Sequence, residues 1–210
     1  VSVGVLQFQD QREIQNSTYF WLCIIPLVPY CTADYHRLEA ANGFLTAAAY
    51  NFRPGEDLAK ATTVELRQTG LFHDVFVTDR ATDPGAQLLL RGNIISTDWD
   101  ATRYAYLLGE DGALFYIFGL PVGSVKDTLK LKLELVDPLS SQVLWNAEVD
   151  RDYAKTEGLY YNFGEDFGYP QMFREGIQPA LASLESYVAS QPPNVWQHYQ
   201  KTGQSSGEGR

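Results

Sequence analysis

The chain has little of what marks most enzymes and nucleic-acid binders. Among its 210 residues are two cysteines, one methionine and three histidines. None of His36, His73 and His198 falls in an HExxH pattern or in a spaced ligand pair, so no histidine-based metal centre is written in the sequence. His73, between Phe72 and Asp74, reads as a surface residue, and His198 belongs to the tail. No serine sits in GxSxG; Ser124, in VGSVKD, lacks the second glycine. GEDG and GLPVG lack the GK[ST] ending of a phosphate-cradling loop. Positive charge is scarce: 16 Lys and Arg stand against 26 acids, a net charge of -10. That balance excludes nucleic acid as the main partner and disfavours anionic lipid. No apolar run reaches the eighteen residues of a spanning helix. The longest runs from Tyr19 to Tyr30 and contains Pro26 and Pro29, which bar it from a regular helix and from a central strand. The sequence assigns no catalytic residue, cofactor or metal ligand.

What is present is tyrosine and alternation. Aromatics make up 13% of the chain, thirteen of them tyrosines. Tyrosine is common in sheets, and it also serves wet interfaces because its ring carries a polar end. A chain of this length forms one domain, here residues 1–190, followed by a polar tail over 191–210.

Val1–Phe8 reads as a strand and QDQREIQNST as a loop or short exposed helix. A helix is expected from Asp34 to about Ala41, ended by Asn42-Gly43. Phe44–Phe52 is ambiguous between strand and helix. RPGEDLAKATTVELRQTG predicts a clear helix, with Glu56 and Asp57 at the end favoured by its dipole and Gly70 as its C-terminal cap. LFHDVFVTD and AQLLLRGNIISTDWD follow as strands. In TLKLKLELVD the leucines at 129, 131, 133 and 135 face a core while Lys130, Lys132 and Glu134 face water. DPLSS turns this strand into QVLWNAEVD. Met172–Ala189 carries a helical stripe of Phe173, Ile177, Leu181, Leu184 and Val188, with Pro179 as a kink or a start. The order is that of an α+β fold: a mixed, mainly antiparallel sheet of about five strands, with helices packed on one face.

Two segments interrupt this pattern, at about 19–50 and 101–123. Both are dense in apolar and aromatic residues. If they point to one side they form an adhesive surface, for which Tyr19, Trp21, Ile25, Tyr30, Tyr104, Tyr106, Phe115, Ile117 and Phe118 are the candidate residues. The alternatives are a satellite core in which the loops pack on each other, and contact with a membrane surface. Cys23 and Cys31 lie in the first segment. In an oxidising compartment they could form one disulfide; in a reducing one they would be small buried hydrophobes.

Several segments together resemble the curli-secretion-type and TolB N-terminal-like domains of the bacterial envelope. VGVLQFQD resembles their opening strand, LRQTGLFHDVFV their helix and following strand, AQLLLRGNII their next strand, and LKLELVDPLSSQVLWNAEV their paired strands around an Asp-Pro turn. The likeness covers Val1–Phe8 and Leu58–Val149, with Met172–Tyr187 as the closing helix. Gln7 and Gln87 depart from the usual proline and aspartate, and both insertions are long, which counts against a pore-forming role. The resemblance implies a small, non-catalytic lipoprotein of diderm bacteria, an accessory or assembly factor with the TolB N-terminal-like fold. It implies a periplasmic place, tethered to the outer membrane by a lipidated cysteine upstream of this chain, and that place favours a Cys23–Cys31 disulfide. The expected partner is another envelope protein or a second copy, with membrane association only through that upstream anchor.

Two other functions compete. One is a carrier whose aromatic loops enclose an apolar ligand. The other is a hydrolase using a carboxylate pair, either Asp98 with Asp100, which share a strand face, or Glu165 with Asp166. Glu157 and Asp152 belong to the same acidic surroundings as the second pair, and a solvated role is the simpler account of both pairs.

Overall fold

The computed structural model describes residues 1–37, 39, 52–164 and 168–192. The strands are β1 (Ser2–Leu6), β2 (Gln9–Asp10), β3 (Asn16–Thr18), β4 (Tyr30–Tyr35), β5 (Asp74–Thr78), β6 (Leu88–Tyr104), β7 (Pro121–Val136) and β8 (Val143–Gly158). The helices are α1 (Pro54–Gln68), the single turn α2 (Leu114–Ile117) and α3 (Tyr169–Ser190), and Phe20–Ile24 and Gly109–Ala113 form 3-10 turns.

The protein is α+β with a mixed open sheet, as expected, but among the described residues the sheet has eight strands rather than about five. The added strands come from segments without a readable alternation. β2 and β3 are two and three residues cut from the polar run after β1. β4 follows Pro29 directly and takes up Asp34 and Tyr35, which the sequence assigned to a helix. The rest of that helix beyond residue 37, and the ambiguous segment 44–51, lie outside the described residues apart from Glu39.

The sheet is organised by β6. One of its edges pairs with β7 over nearly its whole length, from Leu89–Val136 to Arg103–Gly123. Its other edge serves three strands in succession: β1 at Leu88–Leu90, β2 at Asn93–Ile94, and β4 at Trp99–Tyr104. β1 and β2 run parallel to β6 and β4 antiparallel, while β5 extends the sheet parallel to β1. At seventeen residues β6 is far longer than the common strand of five or six.

Leu129, Leu131, Leu133 and Leu135 are fully buried, as their alternation predicts. They meet Ile177, Leu181 and Leu184 of α3 and Leu58 and Leu66 of α1 in one core, so the helices cover a single face. Each such leucine contributes about 1.5–3 kcal/mol relative to exposure. A Cβ on Gly176 would sit 2.5 Å from Val149, so only glycine lets α3 lie this close to β8. The buried Asp127 carboxylate accepts the Gly168 N–H at 2.6 Å, where α3 begins and its dipole favours an anion. Tyr169 donates its hydroxyl to the backbone carbonyls of Thr97 and Asp98. These contacts start α3 one turn earlier than its stripe suggests and leave Pro179 inside it.

Arg12 is a second charged group placed inside. Its side chain is 1% exposed and bonds Asp10, Glu39 and Thr97. The guanidinium, through its side-chain hydrogen bond, holds the Asp10 carboxyl down at about 2.

Candidate functional site

Beyond the helices, β6 and β7 run on to a loop over 105–120, and β4 accompanies them. The two sequence insertions meet there. Tyr30 is paired with Tyr104, Ala105 and Tyr106 donate to the Pro29 carbonyl, Leu27 N–H donates to Leu107 O at 2.8 Å, and Pro26 bridges Leu108. A disulfide joins Cys23 to Cys31 and folds the 3-10 turn at Phe20–Ile24 back onto β4. Gly109, at φ +59°, lies against the Ile24 carbonyl, which a Cβ would approach to 2.6 Å.

The nine candidate residues divide into two layers. Tyr104, Tyr106 and Phe115 are half-buried. Tyr106 is the centre of a ring cluster, with centroids 5.2 Å from Phe115, 6.1 Å from Tyr104 and 6.2 Å from Tyr116. The hydroxyl of Tyr106 donates to Pro121 O and that of Tyr116 to Tyr104 O, which is how buried tyrosines meet their polar requirement. This layer is a satellite core. Over it Tyr19, Trp21, Ile25, Tyr30, Ile117 and Phe118 are exposed, Trp21 to 60% and Phe118 to 79%.

Further residues belong to the same exposed set. Ile24, Leu27, Leu107, Leu108 and Leu114 flank the candidates, and Leu27 is 81% exposed. The turn after β8 adds Leu159, Tyr160, Tyr161 and Phe163, with Tyr160 donating its hydroxyl to Ile117 O at 2.8 Å. That third segment escaped the sequence reading because YYNFG sits in an irregular tract, 153–170, rich in tyrosine, glycine and acid and without periodicity. Neither the 3-10 turn at Phe20–Ile24 nor α2 buries a residue. These segments together place many apolar side chains in the open.

The backbone is strained here. Among the described residues five non-glycines have positive φ, and Leu27 (70°), Tyr106 (51°) and Leu107 (66°) are three of them. Leucine is costly in this region because its side chain crowds the following carbonyl. Such strain persists only where the surroundings enforce it, and it clusters at functional positions.

The carboxylates named in the sequence lie elsewhere. Asp98 and Asp100 share the face of β6 opposite Trp99, as two residues of one strand must. His36 Nδ1 lies 2.8 Å from Asp98, and Ser96 Oγ also donates to Asp98 at 2.8 Å. Asp100 stands between Asp34 on β4 and Lys126 on β7. Partial burial, then the Asp34 hydrogen bond and charge, lift the Asp100 carboxyl to about 6. The Asp98 hydrogen bond raises the His36 imidazole. A hollow of about 380 Å³ beside Asp100 is lined by Thr102, Ser124, Lys126 and Thr156. Glu165, Asp166 and His198 lie outside the described residues. Among the described residues no cluster of three or more His, Cys, Asp or Glu side chains could hold a metal ion.

An apolar hollow of about 260 Å³ opens between α1 and α3, lined by Phe52, Leu58, Ala61, Leu129, Tyr169 and Phe173. It lies under the helices, away from the aromatic insertions. A smaller hollow of about 230 Å³ within the tip has a mixed lining that includes Arg103 and Glu110. No helix among the described residues is long and apolar enough to cross a membrane.

Fold and site thus describe an α+β domain whose sheet carries an exposed apolar tip. No protein-family model matches the chain, and no curated protein matches it. Among solved structures it is similar to the hypothetical protein CT253 from Chlamydia trachomatis, at 8% identity over 90% of this chain and 99% of that one, with a TM-score of 0.41. A PelC dodecamer from Paraburkholderia phytofirmans aligns at 14% identity over 79% of this chain and 78% of that one, with a TM-score of 0.35. A putative neuraminyllactose-binding hemagglutinin homolog from Helicobacter pylori aligns at 12% identity over 95% of this chain and 90% of that one, with a TM-score of 0.38. Likenesses this distant assign neither a family nor a role.

Proposed function

We propose that this chain is a non-catalytic docking domain and that its apolar tip is the docking surface. The observation that carries this reading is the exposure of Trp21, Leu27, Ile117 and Phe118 together at one end of the sheet. We further propose the setting that the sequence resemblance implies: a TolB N-terminal-like domain of a periplasmic lipoprotein, tethered to the outer membrane and serving as an accessory or assembly factor. The segments that carry the resemblance fall in order on β1, α1–β5, β6, β7–β8 and α3. The Cys23–Cys31 disulfide suits an oxidising compartment.

The test is photo-crosslinking in native envelope. A crosslinking residue at Phe118 is compared with one at Leu139, which is equally exposed at 80% but lies in the β7–β8 turn. Adducts from position 118 and not from 139 support a docking tip. Equal labelling, or none from position 118, rejects it.

A second reading, carriage of an apolar ligand, rests on the hollow between α1 and α3. It predicts a lipid or other apolar molecule that co-purifies with the chain and is displaced by Ala61→Phe. Hydrolysis by Asp98 and Asp100 is the least supported reading, since each carboxylate is already engaged with protein groups.

A further inference from the structure

We infer that the occupant of the tip is the surface of a neutral lipid bilayer, entered by the crest of the two joined insertions. This rests on the docking reading and names its partner. It goes beyond an upstream anchor by giving the chain's own residues a place in the membrane interface.

The first support is the order of side chains along the tip. Pairing between the insertions fixes depth. Tyr19 donates to Thr32 O, and Tyr30 faces Tyr104, near the sheet. Leu27 with Leu107, and then Pro26 with Leu108, lie farther out. The Ile24 carbonyl lies beside Gly109. Along this paired stretch the aliphatic Leu27, Leu107 and Leu108 lead, and Tyr19, Tyr30 and Tyr104 lie behind them. Hydrocarbon followed by headgroups demands that order, because aliphatic groups partition into acyl chains while tyrosine and tryptophan prefer the interface. A protein socket demands a different one, an apolar centre ringed by a polar rim.

The second support is charge. Residues 19–30 contain no charged side chain, and residues 104–120 contain only Glu110 and Asp111. With Arg103 the nearest basic side chain, at the base of the tip, and a net charge of -10, the chain is poorly suited to anionic lipid. The matching surface is zwitterionic.

The third support is the backbone. A segment entering hydrocarbon must satisfy its own N–H groups. In the crest Leu22 donates to Tyr19, Ile25 to Leu22, Leu27 to Leu107, Leu108 to Ala105 and Phe118 to Phe115. The disulfide and the backbone pairing between the two insertions hold this shape before any contact is made.

The test is flotation of the purified chain with phosphatidylcholine vesicles and with phosphatidylglycerol-rich vesicles, beside the variant Leu27→Ser/Ile117→Ser/Phe118→Ser. Quenching of Trp21 fluorescence by phosphatidylcholine brominated along its acyl chains is the second readout, with Trp21→Phe as its control. The expected result is flotation with phosphatidylcholine, at least about tenfold weaker for the triple variant, and quenching that Trp21→Phe removes. Should the triple variant misfold by near-ultraviolet circular dichroism, Phe118→Ser alone replaces it. Binding only to phosphatidylglycerol-rich vesicles overturns the inference, as does flotation that the variants leave unchanged. If no vesicle binds while the position-118 crosslink to an envelope protein or to a second copy persists, the lipid inference falls and the docking reading stands. If both fail, both fall.

Discussion

Two apolar regions of this molecule have opposite fates. Under α3, β7 carries leucines at every second position from 129 to 135, with polar residues between them, and all four are buried. At the tip, residues 19–30 and 104–120 are dense in apolar residues with almost no polar alternation, and many of those side chains stay in the open. Strict alternation tells a strand which face to bury. A dense apolar run broken by Pro26, Pro29, Gly109 and Gly112 cannot form a long regular element, so the local backbone folds on itself. Its half-buried rings then make a small cluster that is too thin to cover what lies above it.

The largest expected effect is on the buried side of this comparison. Leu133→Ala should cost about 2–5 kcal/mol in urea unfolding, because the cavity beneath α3 cannot collapse fully. Breaking the disulfide with Cys23→Ser/Cys31→Ser should cost less. Closing so short a loop is worth about 2.5 kcal/mol by chain entropy, and the loss should show first as faster hydrogen exchange at the Ile25 and Leu27 amides. If exchange accelerates across α3 instead, tip and core are one cooperative unit and the contrast fails.

A smaller effect is expected from pH. Because burial and the neighbouring Asp34 push the folded carboxyl of Asp100 up to about 6, above the roughly 3.9 of an unfolded aspartate, the native state binds that proton more tightly. Stability should therefore fall as pH rises from about 4 through about 6. Asp34 and Asp98 oppose the charged form and Lys126 favours it. Asp100→Asn should flatten this limb of the urea midpoint against pH. The raised His36 contributes stability of the same sign, present while the imidazole is protonated and lost as pH rises through its folded value. Asp100→Asn should leave that upper limb in place. Smallest of all should be Leu27→Ser and Phe118→Ser, each within about 0.5 kcal/mol of the parent in unfolding. A cost near that of Leu133→Ala would make the tip core rather than surface.

Much of the fold was legible where one physical rule acted alone. α1 follows from Pro54 at its start and Gly70 beyond its end, where φ is +66°. The β7–β8 hairpin follows from alternation around a turn in which Asp137 accepts from Leu139 N–H and Ser140 Oγ. What escaped was set by distant partners. β2 and β3 exist because β6 and β4 offer them edges, and no local pattern announces strands of two or three residues. Of the candidate surface, Trp21 and Phe118 lie on the exposed layer while Tyr106 and Phe115 lie in the cluster beneath. Composition gave no means of separating the layers, because that depends on which loop lies over which. The turn holding Tyr160 and Phe163 joins the tip only because β8 runs as far as Gly158.

One consequence of β6 concerns mechanics. A strand of seventeen residues spans roughly 55 Å, and this one runs from beneath the helices to Tyr104 with a single bulge against β7, between Ile94 and Ser96. Bonded to β7 along one edge and to β1, β2 and β4 along the other, it acts as a stiff rod between the two ends of the molecule. A pull on the tip directed along this rod loads the flanking hydrogen bonds in shear, many at once, rather than peeling them one by one. The tip is thus mounted where lengthwise tension is borne best, and a sideways load, which would unzip β3 from β4 first, is the direction in which the domain is weak.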